Sequence, residues 1–344
     1  MKTQAKCPIC NQENWKDIEK YNYSIEDLKE VKPTIFKKIS RKIADPLRKV
    51  IIASPRKNVV QDRLLNGYQK LRREVLFKVW FPSQTTLNLT SKYCNNCGLA
   101  TFFPRPTDED IANKYKYLQQ KETNITGVNA PNTKAGNLDN LRAKRIYDAS
   151  IKFLGNKKLD VLDYGGGTGK LMKPFIEKGH KAYLVDYNNH PIPRVTKISD
   201  DLTQYSSDKI FDLIICSHVL EHVSGIGNLI KFLKDQVKKE GIIYAEIPHE
   251  VWAGIYLETD PVTHLNFFTE NSFKNLFLAN GFNILEGKRQ MASYGKHHIE
   301  VVWVIAQKHQ KDSLEMLKPD IKDMLFPSRL YSLKKLFNKV INRL

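Results

Sequence analysis

A glycine-rich loop between two carboxylates offers the most specific chemistry in this sequence. The apolar segment 159–163 ends at Asp163, and the loop 164–169 follows with glycine at four of its six positions. Glycines between a strand and a helix let a ligand lie against bare backbone near the helix N-terminus. The next apolar segment ends at Asp186, whose carboxylate can accept hydrogen bonds from both hydroxyls of a ribose. The loop therefore predicts a nucleoside-cofactor site rather than a simple tight turn.

The spacing of these glycines departs from the G-x-G-x-x-G fingerprint of nicotinamide dinucleotide sites. Counted from Gly165, the third glycine of that pattern would fall on Lys170, and counted from Gly167 it would fall on Met172. The loop is therefore not predicted to bind a nicotinamide dinucleotide.

Four of the five cysteines form a second group with chemical potential. Cys7 and Cys10 make one C-x-x-C pair, and Cys94 and Cys97 make another. Disulfides are unfavourable in a reducing cytosol, whereas two such turns can present four thiolates to one tetrahedral zinc ion. The pairs predict a structural zinc site, with free or redox-active thiols as the alternative. We expect Cys216, which lies alone in an apolar segment, to pack in the core.

A third group consists of acid–base side chains that follow predicted strands. Its members are His218, Glu221, His222, His249 and His264. Ligands of open α/β sheets bind beyond the carboxyl ends of the strands, and histidine and glutamate are common general acids and bases. All five residues are therefore candidate catalytic residues. The alternative for each histidine is structural, because a histidine near a helix start can cap backbone groups.

The elements that must position these groups alternate between strands and helices. We predict strands at 159–164, 181–186, 195–198, 210–217 and 241–247. We predict helices at 62–78, 138–154, 169–178, 225–237 and 269–280. The segments 283–290 and 298–307 are predicted to add a hairpin at the sheet edge. This alternation predicts an α/β fold with a doubly wound, mostly parallel, seven-stranded sheet.

The rest of the chain is predicted to form attachments to this sheet. We expect a zinc-binding module at 1–30 and 81–106, a basic helical insertion at 31–80, a helix and linker at 107–137, a cofactor-binding domain at 138–307 and a basic amphipathic helix at 308–344. Thr107, followed by Asp110, is the expected start of the helix in segment 107–137. The polar stretch 119–136 is the expected linker.

The net charge of +18 is concentrated in two attachments. Residues 31–80 hold 14 Lys and Arg against three acidic residues, and residues 322–344 hold six against one. Because the remainder is nearly neutral, nucleic acid is not the favoured partner. The tail instead favours peripheral contact with an anionic membrane surface, with packing on its own domain as the alternative. Without a membrane span or a secretory segment, we expect a cytoplasmic protein, in part at the inner face of the membrane.

Residues 138–307 resemble the class I S-adenosylmethionine-dependent methyltransferases in the strand, glycine loop and second acid described above, and in the segment 211–223. The resemblance implies that the loop surrounds the amino-acid part of S-adenosylmethionine and that Asp186 holds the ribose. It also implies that Asp201, or alternatively Asp200, approaches the adenine. The implied cofactor contacts are Asp163, Tyr164, Gly165, Gly166, Gly167, Gly169, Asp186, Tyr187, Asp201, Leu202, Ser217 and His218.

The second cysteine pair and the prolines after it, residues 94–106, resemble the amino-terminal zinc knuckle of bacterial methyltransferases that act on sugars. In relatives that methylate sugar carbons, the Glu-His pair found here at 221–222 supplies acid–base groups. In relatives that methylate quinone oxygens, a similar pair helps to hold a divalent metal. Ser217-His218 stands where many amino-methylating relatives carry Asp/Asn-Pro-Pro-Tyr, which weighs against nucleobase amines as acceptors.

We therefore predict a methyltransferase that uses S-adenosylmethionine and structural zinc. Its expected acceptor is a hydroxyl or carbon of a sugar, nucleotide sugar or lipid-linked glycan. The alternatives are an RNA methyltransferase with a zinc module and basic arms, and a quinone or other small-molecule O-methyltransferase. A module that binds the cofactor without turnover is a further alternative, against which the intact loop and Asp186 argue.

Overall fold

The computed structural model describes residues 6–28, 67–122, 133–155, 157–187, 190–200, 202, 205, 208–250, 261–294 and 297–320. The amino-terminal elements are β1 (Trp15–Ser24), α1 (Gly67–Val75), β2 (Thr86–Cys94), β3 (Ala100–Phe103) and α2 (Asp108–Glu122). The other helices are α3 (Thr133–Ile151), α4 (Lys173–Glu177), α5 (Ile226–Gln236) and α6 (Glu270–Leu278). The other strands are β4 (Asp160–Tyr164), β5 (Lys181–Val185), β6 (Val195–Ser199), β7 (Phe211–Ser217), β8 (Val237–Pro248), β9 (Phe282–Tyr294) and β10 (His297–Lys308).

Seven strands form the main sheet in the order β6-β5-β4-β7-β8-β10-β9. The strands from β6 to β8 are parallel, and β10 runs antiparallel to both of its neighbours. This architecture confirms the predicted α/β fold with a mostly parallel, seven-stranded sheet. The chain winds from β4 towards one edge and then continues from β7 towards the other. The carboxyl ends of β4 and β7 therefore flank the crevice where sheets of this kind bind ligands.

The core lies on both faces of this sheet. Helices α3 and α4 cover one face through Ile146 and Phe175, and α5 and α6 cover the other through Ile230 and Phe273. Every residue of β7 is buried. A strand buried on both faces has a nearly continuous apolar sequence, which is why this element could be located from the sequence.

A second, three-stranded antiparallel sheet has the order β1-β2-β3 and was not predicted. It packs directly on the main domain, because Cys7, Cys94 and Cys97 belong to the core that covers one face of the seven-stranded sheet. The backbones of Ala100 and Phe267 also pair across the junction. The amino-terminal region is therefore fastened to the loops that surround the crevice.

Two predicted elements differ from the structure near the crevice. The linker predicted at 119–136 is wrong at both ends, because α2 continues to Glu122 and α3 begins at Thr133. Just before the linker predicted from residue 119, the Tyr117 hydroxyl donates to the Glu74 carboxylate of α1 at 2.7 Å. The helix predicted at 169–178 is a short turn followed by α4, because Gly169 adopts a left-handed conformation before it.

The carboxy-terminal helix predicted at 308–344 is wrong over residues 309–320, which form no helix. The Asn275 side chain holds this segment extended by donating to the Leu317 carbonyl oxygen and accepting from its N–H. Residues 29–66 and 321–344, which carry most of the predicted basic attachments, lie outside the described residues. None of the described helices combines the length and apolarity needed to cross a lipid bilayer.

Candidate active site

The glycine loop lies at the carboxyl ends of β4 and β5, beside β7. Gly165, Gly167 and Gly169 have φ between 63° and 76°, a range that residues with side chains rarely adopt. Space is restricted as well, because a Cβ atom on Gly165 would collide with the Val219 side chain. A Cβ atom on Gly166 would collide with the carboxyl group before the loop. These positions therefore require glycine, and the backbone stays open to a ligand.

Asp163 ends β4 beneath this loop and is fully buried. Neither of its carboxylate oxygens has a hydrogen-bond partner among the described residues. Burial raises the pKa of Asp163 to about 7, although the positive charge of Arg142 opposes the rise. A buried carboxylate without a partner is costly. Its oxygens fit a ligand that brings a cationic donor, such as the ammonium group of S-adenosylmethionine.

Asp186 follows β5 and faces the same loop. Its Oδ2 accepts a hydrogen bond of 2.8 Å from the backbone N–H of Gly167. The ring of the next residue, Tyr187, stacks on Tyr115 of α2 with centroids 5.7 Å apart. The ribose-binding candidate therefore lies between the loop and a helix of the amino-terminal region.

The structure gives less information on the residues predicted to contact the adenine. The Tyr164 side chain is buried, and its hydroxyl donates to the carbonyl oxygen of Leu202. Tyr164 thus fixes the segment that carries Leu202 but has its hydroxyl engaged within the fold. Asp201 lies outside the described residues, and Asp200 is exposed.

Ser217 and His218 stand where β7 enters the crevice. His218 has a φ of 59°, a left-handed conformation that is uncommon outside glycine and is concentrated at functional sites. Its Nδ1 lies 3.3 Å from Glu221 Oε1, and its ring lies 4.3 Å from the Tyr294 ring. The Ser217 hydroxyl accepts a hydrogen bond of 2.6 Å from Arg142. Both residues lie at the crevice, and their contact with the cofactor stays a prediction.

The fold brings Glu221, His222 and His264 together. Their potential ligand atoms all lie within 4.8 Å of one another, and the two imidazole centroids are 4.7 Å apart. His222 Nδ1 lies 2.6 Å from the carbonyl oxygen of Thr263. This nitrogen therefore carries the hydrogen, and Nε2 presents a lone pair 3.7 Å from Glu221 Oε1.

The ionisation of this group follows from its burial. Burial lowers the pKa of His222, although the Glu221 charge opposes the shift. Burial alone would raise the pKa of Glu221, but the imidazoles of His222, His218 and His264 hold it below its usual range. At neutral pH the site therefore combines a neutral imidazole with an ionised carboxylate.

A buried arginine from the amino-terminal region positions His264. The neighbouring Asn266 donates to two carbonyl oxygens of the turn 219–224, at 2.8 and 2.7 Å. Arg105 in turn donates to Asn266 Oδ1 at 3.0 Å and to the carbonyl oxygen of Ser224 at 2.9 Å. This clamp holds the loop of His264 against the turn of the Glu-His pair.

His249 has a separate environment. It follows β8, is 5% exposed, and has Nδ1 3.1 Å from Glu300 Oε2. Its Nε2 has no hydrogen-bond partner among the described residues. The fold does not bring it into the group of Glu221, His222 and His264, so its catalytic role stays a prediction.

The two cysteine pairs meet at one end of β1 and β2. The sulfurs of Cys7 and Cys97 are 3.4 Å apart, those of Cys10 and Cys94 are 3.6 Å apart, and none is in a disulfide. All four lie within 4.8 Å of one another. Tetrahedral zinc, with Zn–S bonds of about 2.3 Å, separates its sulfurs by about 3.8 Å. The four thiols therefore fit a zinc ion.

Helix α2 contributes two residues that sequence analysis missed. Lys114 is 1% exposed, and its ammonium nitrogen lies 4.5 Å from the Tyr115 ring centroid. Tyr115 reaches the cofactor side through Tyr187, and the Lys114 charge contributes to the lowered pKa of His222. Helical periodicity marks the buried face of α2 but does not show what it covers, so no sequence signal identified these residues.

The comparison with protein families gives a match to the central region. A family model described as a methyltransferase domain matches residues 140–286. The matched range includes the glycine loop, Asp186, the Glu221–His222 pair and the loop of His264. The match agrees with the predicted methyltransferase fold, which the seven-stranded sheet confirms.

Curated relatives include two proteins named ubiquinone biosynthesis O-methyltransferase. The Rickettsia conorii protein is 26% identical over 115 residues, which is 30% of this chain and 40% of that protein. The Rickettsia felis protein is 27% identical over 96 residues, which is 25% and 39% of the two chains. The chain therefore spans about two fifths of the length of these relatives.

Similar solved structures include an S-adenosylmethionine-dependent methyltransferase from Mesorhizobium loti. Its TM-score is 0.40 at 14% identity, covering 49% of this chain and 100% of that chain. The magnesium protoporphyrin IX methyltransferase of Synechocystis PCC 6803, with bound SAH, has a TM-score of 0.41 at 18% identity. That alignment covers 58% of this chain and 100% of that chain.

Proposed function

We propose that this methyltransferase domain uses S-adenosylmethionine to methylate a hydroxyl or carbon of a sugar, nucleotide sugar or lipid-linked glycan. One observation carries the proposal of methyl transfer. Asp163, whose buried oxygens lack partners in the described structure, shares a crevice with the group of Glu221, His222 and His264. The sugar-type acceptor is supported by the resemblance of the cysteine knuckle and the Glu-His pair to bacterial sugar methyltransferases.

The chain offers a partner for each polar part of the cofactor. The Asp163 carboxylate would accept hydrogen bonds from the ammonium group, and Asp186 would accept them from the ribose hydroxyls. The stacked rings of Tyr115 and Tyr187 would wall the ribose side. When bound, S-adenosylmethionine supplies a methyl group attached to a positively charged sulfur. An electron-rich acceptor atom can take this methyl group, with the sulfur as the leaving group.

The acid–base group would prepare the acceptor. His222 presents its Nε2 lone pair and is neutral at neutral pH, so it can take the proton from an acceptor hydroxyl or carbon acid. The ionised Glu221 would stabilise the imidazolium that this transfer creates. The ring of His264 lies 4.7 Å from that of His222 and would help to orient the acceptor.

O-methylation of a quinone or another small molecule is a second candidate. It is favoured by the similarity to proteins named ubiquinone biosynthesis O-methyltransferase and by the proximity of Glu221, His222 and His264. In that case the three side chains would hold a divalent cation. Activity that disappears with a chelator too weak to strip thiolate-bound zinc, and returns with Mg²⁺, would favour this candidate. Activity that ignores the chelator would favour His222 as a base.

A label-transfer experiment tests the proposed acceptor class. Purified protein and methyl-labelled S-adenosylmethionine are incubated with cell extract, which is then separated into small polar, lipid, RNA and protein fractions. We expect label in the polar or lipid fraction, and its loss in the His222→Ala variant with cofactor binding retained. Label in RNA would overturn the acceptor class, and the absence of label from every fraction would contradict methyl transfer.

We also propose that the four cysteines hold one structural zinc ion. The purified protein should contain about one zinc per chain, and Cys94→Ser should lose the metal and part of the stability. The variant Asn96→Ser, at a half-buried position in the same turn, is the matched control and should keep the metal. A protein that is fully folded and active with no zinc after purification without chelators would contradict this proposal.

A further inference from the structure

A cavity opens between α3 and the β9–β10 hairpin, next to the candidate active site. Its volume is about 280 Å³. Its walls include Leu141, Arg142 and Arg145 of α3, Met291 and Ser293 of β9, and His298 of β10. The proposed cofactor contacts, the acid–base group and the cysteine centre use none of these residues.

The α3 wall of this cavity carries excess positive charge. Arg142 Nε lies 3.3 Å from Glu246 Oε1, and Arg145 pairs with the other oxygen of the same carboxylate. Among the described residues, Glu246 is the only acidic group that forms an ion pair with either arginine. Two guanidinium groups therefore share one buried carboxylate, which positions them rigidly and gives the three ion-paired side chains a net positive charge.

Both walls retain hydrogen-bonding capacity towards the cavity. Arg142 also donates to Ser217, and Arg145 also donates to the Tyr244 hydroxyl at 2.7 Å. A guanidinium group has five N–H donors, so each arginine keeps donors beyond these contacts. On the facing wall the Ser293 hydroxyl lies 3.4 Å from His298 Nδ1. Two planar forks facing a hydroxyl and an imidazole suit the several oxygens of a phosphate.

Exposed apolar side chains lie at the cavity and beside it, on the side of His218. Leu141, Met291 and Tyr294 are 56%, 48% and 39% exposed, and exposed apolar clusters commonly mark ligand grooves. The Tyr294 ring contacts both sites, because it lies 4.8 Å from the Arg142 guanidinium and 4.3 Å from the His218 ring. A ligand anchored at the arginines would therefore extend past Tyr294 towards the crevice.

We propose that this cavity binds a phosphoryl group of the methyl acceptor, so that the acceptor is a phosphate-linked sugar anchored away from its reacting atom. The inference rests on the proposed methyl-transfer function and narrows its acceptor class. The phosphate could belong to a nucleoside diphosphate sugar or to a polyprenyl-phosphate-linked sugar. Both present the same oxyanion to Arg142 and Arg145, and binding measurements separate them.

The test measures phosphate binding directly, independently of methyl transfer. Inorganic pyrophosphate, UDP and a polyprenyl phosphate in detergent micelles are titrated into the full-length, cofactor-loaded protein by calorimetry at low salt. Arg145→Gln should weaken binding of the preferred probe at least tenfold while the cofactor affinity stays within twofold. Lys144→Gln is the matched control, because Lys144 lies on the same helix, is 69% exposed, and pairs with Asp148 outside the cavity. It should change the probe affinity less than twofold.

Each outcome decides the inference. Tighter binding of UDP than of pyrophosphate supports a nucleotide-linked acceptor, and preference for the polyprenyl phosphate supports a lipid-linked one. Absence of binding by all three probes, or equal losses in the Arg145→Gln and Lys144→Gln variants, overturns the inference. The label-transfer result would be unaffected, so the two proposals fail separately. If Arg145→Gln does not fold, the double variant Ser293→Ala/His298→Ala should weaken probe binding at least threefold, and unchanged binding overturns the inference equally.

Discussion

Two buried glutamates near the carboxyl edge of the sheet differ in how completely they are paired. Glu246 on β8 is fully buried and accepts hydrogen bonds from four side chains, those of Arg142, Arg145, Tyr244 and Ser217. Glu221, after β7, is 2% exposed, yet neither of its oxygens has a hydrogen-bond partner of good geometry in the described part of the chain. A carboxylate whose oxygens are all engaged stabilises the fold, whereas one buried without partners is available for a ligand or a proton.

The side chains around the two glutamates also differ in whether their charge can change. Burial alone would raise both pKa values, yet both lie below their usual range. The arginines beside Glu246 are always charged, whereas the imidazoles beside Glu221 can gain or lose a proton. The field around Glu221 therefore changes when His222 accepts a proton, and the field from the arginines around Glu246 does not. The comparison assigns a structural role to Glu246 and a chemical one to Glu221.

The largest expected effect is on stability, from Glu246→Gln. Removing the carboxylate leaves the buried guanidinium of Arg142 and the half-buried guanidinium of Arg145 without their counter-ion. This should lower the free energy of unfolding by about 3–5 kcal/mol. Urea denaturation followed by circular dichroism measures it. The control is Glu240→Gln, an exposed position on the same strand, which should stay within ~0.5 kcal/mol of the parent protein. A loss of unfolding free energy below ~1 kcal/mol in Glu246→Gln would contradict the structural role assigned to Glu246.

Glu221→Gln should show the opposite pattern. With no hydrogen bonds of good geometry to lose, the free energy of unfolding should change by less than ~1 kcal/mol. Turnover should fall by about 100-fold or more, because the carboxylate no longer stabilises protonated His222. Steady-state kinetics with saturating cofactor, alongside urea denaturation, measures both quantities. Normal turnover with a stability loss like that of Glu246→Gln would reverse the assignment.

Asp186 extends the comparison to a carboxylate that already accepts a hydrogen bond from the loop. Asp186→Ala removes the proposed ribose acceptor and should weaken S-adenosylmethionine binding more than tenfold, or about 1.4 kcal/mol. Calorimetry measures the affinity, and Asp186→Asn, which keeps one acceptor oxygen, should lose less. An unchanged affinity in Asp186→Ala would end the ribose assignment.

The smallest effect concerns pH, through Asp163. Because burial raises its pKa to about 7, the carboxyl is mostly protonated at pH 6 and mostly ionised at pH 7.5. Only the ionised form attracts an ammonium group, so S-adenosylmethionine should bind about eightfold more weakly at pH 6 than at pH 7.5. Asp163→Asn should bind weakly at both values. A pH-independent affinity in the parent protein would place the ammonium group elsewhere.

Much of the main sheet is predictable from local sequence. The strand predicted at 210–217 is Phe211–Ser217, because a strand buried on both faces needs an uninterrupted apolar run. The three-stranded sheet β1-β2-β3 was not predicted, although one of its strands has the alternating pattern of a half-exposed strand. Burial alternates along Thr86–Cys94, as the period of a half-exposed strand requires. The C-x-x-C pair at the end of this strand was interpreted as a metal-binding turn, and the strand before it was not predicted.

The site was predictable as a set of residues but not as an arrangement. Glu221, His222 and His264 could be named because they follow strands in an open α/β sheet. Their proximity depends on Arg105, which reaches Asn266 across 161 positions of sequence. The place of Lys114 near the site could not be predicted for the same reason, because its contacts come from segments distant in sequence, such as Val262. Contacts of this kind leave no periodic pattern within a single sequence.

The register of β1 and β2 bears on how a cluster of four cysteines like this one can be recognised in other sequences. Trp15 pairs with Cys94 at one end of the ribbon and Ser24 pairs with Thr86 at the other, about 30 Å away at ~3.3 Å per residue. The chain between β1 and β2 therefore begins and ends far from the sulfurs. Doubling the length of that connection costs only ~0.6 kcal/mol of closure entropy. Evolution can lengthen or trim it freely, so a search for this centre should leave the interval between the C-x-x-C pairs unconstrained.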